Sequence, residues 1–395
     1  MIQYPFSPAI LDAMPEELAE LFRGLEDTLL KDICERLKNA DSINEVSVQD
    51  IRALRSHGIS LDEIKKAIQT VTNTGAETLN ALLQDVVDRN QEYYTELVDL
   101  AGITQPETMV DIQTIEAIRK QTKDEYRNIT RSMGFLVDNG RTKLEPAKAY
   151  QWALDSAELQ VQSGAVSYNQ AISKAVKQLA DSGLKTVSYE SGHVDQVDVA
   201  VRRAVMTGTN QLCQQYANDS IDYLETDLVQ VSAHYGARNT GTGPENHESW
   251  QGGIYRWGEK EQTSEGDYPD FVETTGYGTG PGLGGWNCRH HFSPYVEDVS
   301  QRTYTDDELE AMKGENNKIT FEGREYDGYQ ATQKQREIER TIRKQKREVN
   351  AFKAAGLDDE AEAANIKLQR LNDKYTAFSK AAGLKRQLER LKIEY

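Results

Sequence analysis

The sequence predicts an α+β protein, predominantly α, with a helical N-terminal region, a small Gly-rich α+β core and a helical, coiled-coil-like C-terminal tail. Three observations predict it. Apolar residues recur at three- and four-residue intervals through most of positions 1–220. Residues 228–299 gather four of the six histidines, three of the four tryptophans and one of the three cysteines among many glycines. From position 329 onward, apolar stripes lie among dense charge. The chain divides accordingly into 1–220, a core over 221–300, a linker with a short hairpin over 301–328, and a charged helical hairpin over 329–395.

In the first region, Leu18, Leu21, Phe22, Leu25, Leu29, Ile33 and Leu37 form one helical face. A short second helix is expected over 48–57. Ser60 and Glu63 have the spacing of a capping box, opening a helix that carries Leu61, Ile64, Ile68 and Val71. Helical character resumes through Leu79, Leu82, Val86, Tyr93 and Leu97, then from about Thr108 to Met133. Gly134 and Asn139-Gly140 mark turns. Pro146 suits a first helical turn, and the helix it opens carries Tyr150, Trp152, Ala153 and Leu159. A helix from Tyr168 to Leu179 pairs with it, closed near Gly164. Thr186 to His193 is more β-like, with a turn at Ser191-Gly192, and Asp195 to Tyr216 is helical again.

The period then changes. Leu228 to Ser232 alternates apolar and polar residues, as in a half-buried strand, and Ile254–Trp257 and Phe271–Thr274 are further strand candidates. About four short strands are expected, tied by the glycine-dense loop 276–285. Trp250, Gly252, Gly276, Gly278, Trp286, Asn287 and Arg289 are read as its structural core. Tyr304 to Leu309 starts a short helix, and Ile319 to Tyr326 reads as a hairpin. In the tail, Ile338, Ile342, Val349 and Phe352 make one stripe, ended by Gly356. Leu368, Leu371, Tyr375, Phe378 and Ala382 make a second, and Leu384, Leu388, Leu391 and Tyr395 a third.

Composition narrows the function. No apolar run approaches the roughly 18 residues of a membrane span, and positions 1–18 lack the basic and apolar blocks of a secretory signal. Cys34, Cys213 and Cys288 are far apart and odd in number, which implies reduced thiols and assembly in a cytoplasm. The formal charge of −18 is uneven. Residues 329–395 hold 16 basic and 10 acidic residues, a net of +6, leaving −24 for the remainder. An acidic body with a basic tail is not a DNA-coating protein, although Arg343, Lys344, Lys346 and Arg347 are candidate DNA contacts. The commoner state of such a cluster is a solvated face.

His234, His247, Cys288 and His290 are residue types that bind zinc, and the fold could bring these four together. There is no CxxC or HExxH, and the commoner state is a set of histidines that hydrogen-bond a Gly-rich core. A nuclease-like alternative uses His290 or His291 as general base, with Asn287 orienting it and a metal held by His234 and an Asp or Glu. A Cys288–His290 nucleophilic pair is a further candidate, against the usual inert buried cysteine. The glycine run lacks the Lys-Ser/Thr ending of a phosphate loop, and the tryptophans suit a core.

At SAHYGAR (232–238), HESWQG (247–252), TGYGTGPGLGGWNCRHHFSPY (275–295) and YESGHVDQVDVAVRRAVMTGTNQ (189–211), the chain resembles the phage minor capsid protein 2 family. That family is similar to the Mu F-like head morphogenesis proteins, which share an Asn-Cys-Arg element followed by Pro, here Asn287-Cys288-Arg289 and Pro294. The resemblance covers roughly residues 4–300. Where relatives carry a second Cys in the glycine loop this chain has Gly284, so no second thiolate is offered. The resemblance implies a virion protein inside the capsid near the portal vertex, present in the host cytoplasm during assembly. It implies several copies, contact with the portal protein and with major capsid or scaffolding protein, and a part in head assembly and DNA packaging or ejection. It implies no membrane contact, no enzyme activity and no cofactor. The rival expectation is a metal-dependent, nuclease-like hydrolase packaged in the virion, with zinc as its candidate ion.

Overall fold

The computed structural model describes residues 4–41, 62–106, 109–137, 142–163, 166–187, 192–258, 266–285 and 288–393. The expected helix over 48–57, the Ser60 cap, the turns at Asn139-Gly140 and Ser191, the Gly164 closure, and Trp286 and Asn287 lie outside these.

Helix α1 (Pro8–Ala13) begins under a Ser7 cap and leads into α2 (Glu16–Asp41). The stripe read from the sequence is the buried face of α2: Leu18, Phe22, Leu25, Leu29, Ile33 and Leu37 are each 2 % exposed or less. Each such side chain contributes about 1.5–3 kcal/mol on leaving water. The two stretches read between 61 and 97 are one helix, α3 (Asp62–Leu100). Its apolar spacing continues across the polar Thr72–Thr74 segment, where Gly75 lets Tyr126 approach. Helix α4 (Ile112–Arg131) is capped by Asp111.

A four-stranded antiparallel sheet follows, of which the sequence reading caught only the β-like stretch that begins at Thr186. It comprises β1 (Gly134–Val137), β2 (Thr142–Leu144), β3 (Leu184–Val187) and β4 (Val194–Gln196), in the order β2-β1-β3-β4. Gly134 was expected as a turn and instead begins β1, where Leu144 O leaves no room for a Cβ. Between β2 and β3 runs the predicted helical pair, α5 (Pro146–Gln162) and α6 (Tyr168–Ser182), the latter opened by a Ser167–Gln170 capping box. Leu159, expected inward, is 69 % exposed.

Helix α7 (Val197–Tyr223) runs through the middle of the molecule. Its buried residues include Val201, Val205, Leu212, Cys213, Tyr216, Ser220 and Ile221, which spread around the helix and meet α2, α3 and α4 on different sides. The core sheet is three-stranded, with β5 (Leu228–Val231) between β6 (Ile254–Arg256) and β7 (Phe292–Pro294). Val229 pairs with Tyr255 on one side and Pro294 on the other. The expected strand at 271–274 is instead helix α8 (Phe271–Thr275). Asp270 caps it by accepting from Glu273 N–H, a local bond that alternation of apolar residues does not reveal.

Helix α9 (Asp306–Met312) and the hairpin of β8 (Ile319–Phe321) and β9 (Arg324–Tyr326) follow as read. The tail forms α10 (Gly328–Ala354) and α11 (Asp358–Ala381), but the third stripe ends in a short 3-10 turn over Leu388–Leu391. The tail is no detached hairpin. Ile338 and Ile342 pack with Tyr375 and Phe378 of α11 in a small second core, while Val349 and Phe352 belong to the main one. Helix α10 thereby lies against α2 and α6. Among the described residues no helix is long and apolar enough to cross a membrane.

Candidate functional site

His247 sits in a 3-10 turn after β5, and Cys288 and His290 lie on the strand approach to β7. Sheet pairing brings these segments together, because Ser232 donates its N–H to His291 O while Gly252 donates to Ser232 O. One ring nitrogen each from His247 and His290 and the Cys288 sulfur lie within 4.8 Å of one another. All three residues are 2 % exposed or less. Trp250, 1 % exposed, closes one side, with its ring 4.9 Å from His290 and 4.7 Å from His247.

The hydrogen bonds fix the tautomers. His247 Nε2 donates to Pro281 O at 2.8 Å, leaving Nδ1 with the lone pair. The Gln251 carboxamide oxygen accepts from His234 N–H at 3.0 Å and from His290 Nε2 at 3.2 Å. His290 Nδ1 therefore faces the Cys288 sulfur as an acceptor, 3.6 Å away. Gln251 is the residue that sequence reasoning missed. Its position four after His247 is the available signal.

Burial, first of all, depresses the imidazoles. His234 and His247 are pushed down to about 4, with the Arg289 and Arg238 guanidiniums adding to the effect at each in turn. His290 is held well below its ordinary value, with its three neighbouring histidines adding to burial. Burial pushes the Cys288 thiol up. The cluster is therefore neutral near pH 7: three imidazoles and a protonated thiol.

His234 is not part of the converging group. Its ring stacks on His290 at 4.5 Å with 24° between the planes, and its Nδ1 donates to Tyr235 O. A closed structural zinc site needs four ligands, and three converge here among the described residues. A catalytic zinc needs an open position, and Cys288 and His290 have almost no surface. The donor chemistry suits zinc: three ligands are one short of a closed structural site, and of the three only His247 lies on the lining of a neighbouring cavity. The nuclease arrangement fares no better. His290, so depressed, is a poor general base at neutral pH, and His291 is stacked on Tyr4 at 4.5 Å. Asn287 lies outside the described residues. The Cys288–His290 pair does meet, but as a buried thiol donating to a neutral ring.

The structural residues are placed as follows. Gly276 caps α8 in the left-handed region, φ +62°, against Pro244. Gly252, φ +74°, lies where a Cβ would strike Leu309 of α9. Gly278 has φ +86° with open space around it. Arg289 reaches towards Asp12, 4.0 Å away.

The four candidate DNA contacts separate. Arg347 is buried, donating to Glu26 at 2.9 Å and to Ala180 O. Arg343 donates to Arg390 O and pairs with Asp198 at 3.5 Å. Lys346 donates to Leu391 O at 2.6 Å. Lys344 is exposed, 3.2 Å from Asp181. The expectation of a solvent-facing basic patch is corrected for Arg343 and Arg347, whose helix face turns onto α2, α6 and α7.

The chain matches the phage minor capsid protein 2 family over residues 6–380, so it belongs to that family. The match extends the resemblance read over 4–300 through nearly all of α11. A "Structural protein" of Lactococcus phage LL-H is 25 % identical over 309 residues, covering 75 % of this chain and 74 % of that protein. No solved structure matches the chain.

Proposed function

We propose that this chain is a structural component of the phage head, bound to the portal on the inner side of one vertex in several copies, aiding head assembly and DNA packaging or ejection. The carrying observation is that the family match runs through the elements of the main hydrophobic core and on through α10 and α11. The matched stretch spans the whole packed body rather than one segment of it. Support comes also from the LL-H relative's printed name, and from the His–Cys cluster, where Cys288 meets His290 and His247 donates to Pro281 O. In this reading the chain is no enzyme and needs no cofactor. It is assembled in the host cytoplasm, with major capsid or scaffolding protein as further partners and no membrane contact.

Co-expression with the portal protein of the same phage tests it. Co-elution as one complex is expected. Separate elution, with association to the major capsid protein alone, overturns the portal assignment.

The second reading, a metal-dependent hydrolase carried in the virion, is favoured by the three converging donors alone. Zinc-dependent phosphodiester turnover that is lost in Cys288→Ala would support it over the first.

A further inference from the structure

Between α1, α2, α7, α10 and the Gly-rich core lies a cavity of about 390 Å³. Eight arginines line it, among them Arg202, Arg289, Arg336, Arg340 and Arg390, against four carboxylates. The whole chain has 23 lysines and 23 arginines, yet no lysine is in this lining. The carboxylates are already shared. Asp12 accepts from Arg390 at 2.6 Å, Arg202 at 2.7 Å and Arg336 at 3.0 Å, with Arg289 at 4.0 Å. Glu16 serves Arg23 at 2.6 Å and Arg202 at 3.1 Å, and Asp198 serves Arg23 and Arg343 at 3.8 and 3.5 Å. Glu339 is 3.9 Å from Arg336 and 4.0 Å from Arg390, while its other contact is the Tyr375 hydroxyl. Eight guanidiniums against four carboxylates leave a surplus of four positive charges, in a chain whose formal charge is −18.

We propose that this cavity binds a compact anion bearing phosphate groups. Like charges gathered in a recess repel one another unless an anion joins them, and field lines focus into such a recess. Guanidinium groups meet oxyanions in a planar, two-pronged geometry that an ammonium cannot give, which accounts for arginines in place of lysines in the lining. Phosphate groups carry enough charge in one small volume to meet the surplus. A liquid water occupies about 30 Å³, so the space holds more than a few solvent molecules and admits a pyrophosphate. The anion could be free in the cell or be the phosphorylated end of a nucleic acid. The inference does not depend on the portal assignment.

Titration of the full chain with pyrophosphate, ATP and a 5′-phosphorylated oligonucleotide, by calorimetry and thermal shift at low and 0.15 M salt, tests it. One-to-one binding of at least one probe, with a raised Tm, is expected. Arg340→Gln, at the exposed rim, and Arg336→Gln should each weaken it about tenfold or more, since charge-assisted pairs are the strong ones. Arg203→Gln, exposed and paired with Asp195 outside the cavity, should leave it unchanged. Binding of pyrophosphate and ATP assigns a free anion; binding of the oligonucleotide alone assigns a nucleic-acid end. No saturable binding of any probe at low salt overturns the proposal. So does binding equal in all variants. Should Arg336→Gln not fold, Arg340→Gln decides alone.

Discussion

Arg347 of α10 and Glu26 of α2 form an ion pair at 2.9 Å across 321 residues of sequence, with the side chains 8 % and 7 % exposed. Glu26 also accepts from Leu184 N–H at the head of β3, and Arg347 donates to Ala180 O at the end of α6. One pair thus ties the tail to the N-terminal body and to an inner strand of the four-stranded sheet. Burial, the largest influence, holds the Glu26 carboxyl above its ordinary range despite Arg347.

Arg347→Met is expected to cost about 3–5 kcal/mol, because it strands a buried carboxylate. Adding Glu26→Gln should recover much of that. Urea unfolding of the two variants checks it, and a loss below about 1 kcal/mol for Arg347→Met would show a pair without structural weight.

Acid should destabilise the protein before most carboxylates titrate. Unfolded imidazoles bind protons near 6.5, whereas folded His234 and His247 do so only near 4 and His291 near 3. Between those values the unfolded state binds more protons, so stability is lost as pH falls from about 6.5 towards 4. At pH 5 the loss is about 2 kcal/mol for each such histidine, less in sum because the rings are coupled. Glu26, raised by burial, works the other way and regains stability as pH falls towards 4.5. Asp12, which burial alone would raise, is lowered by Arg289, Arg336 and Arg202, and its contribution is lost only below 3.8. Thermal unfolding from pH 7.5 to 5 should show a steady fall in Tm; a flat profile contradicts neutral buried rings.

Gly252→Ala should cost about 2–3 kcal/mol. It forces a Cβ into φ +74° and onto Leu309. Leu309→Ala in the same background relieves the clash but not the backbone strain, so partial recovery is expected in denaturant melts.

Chelation should leave Tm unchanged, because Cys288 and His290 bond each other and His247 is held by Pro281 O. Stoichiometric zinc in purified protein, with a Tm that falls on chelation and in Cys288→Ala, would contradict this.

Helices were legible because an apolar stripe needs only composition at the right period: the α2 face from Leu18 to Leu37 came through intact. Strands β1, β2 and β4 were not, and β3 registered only in part as the β-like stretch from Thr186, since segments of three and four residues carry too few alternations. The break between Val71 and Leu79 misled because Gly75 sits inside a continuous helix, where it admits Tyr126. The His–Cys gathering was visible as composition, but not its closure by Gln251 or the stacking of His234, which depend on pairing across β5 and β7. The inward turn of Arg343 and Arg347 was hidden for a related reason. A basic cluster on a helix looks the same whether it faces solvent or the acids Glu26 and Asp198, far away in sequence.

The portal assignment is tested most directly by reconstructing the portal vertex of the virion without icosahedral symmetry. Density fitting α2, α7 and α10 as one body against the inner face of the portal is the predicted result. The same body found on the outer capsid surface, or nowhere at that vertex, would contradict it.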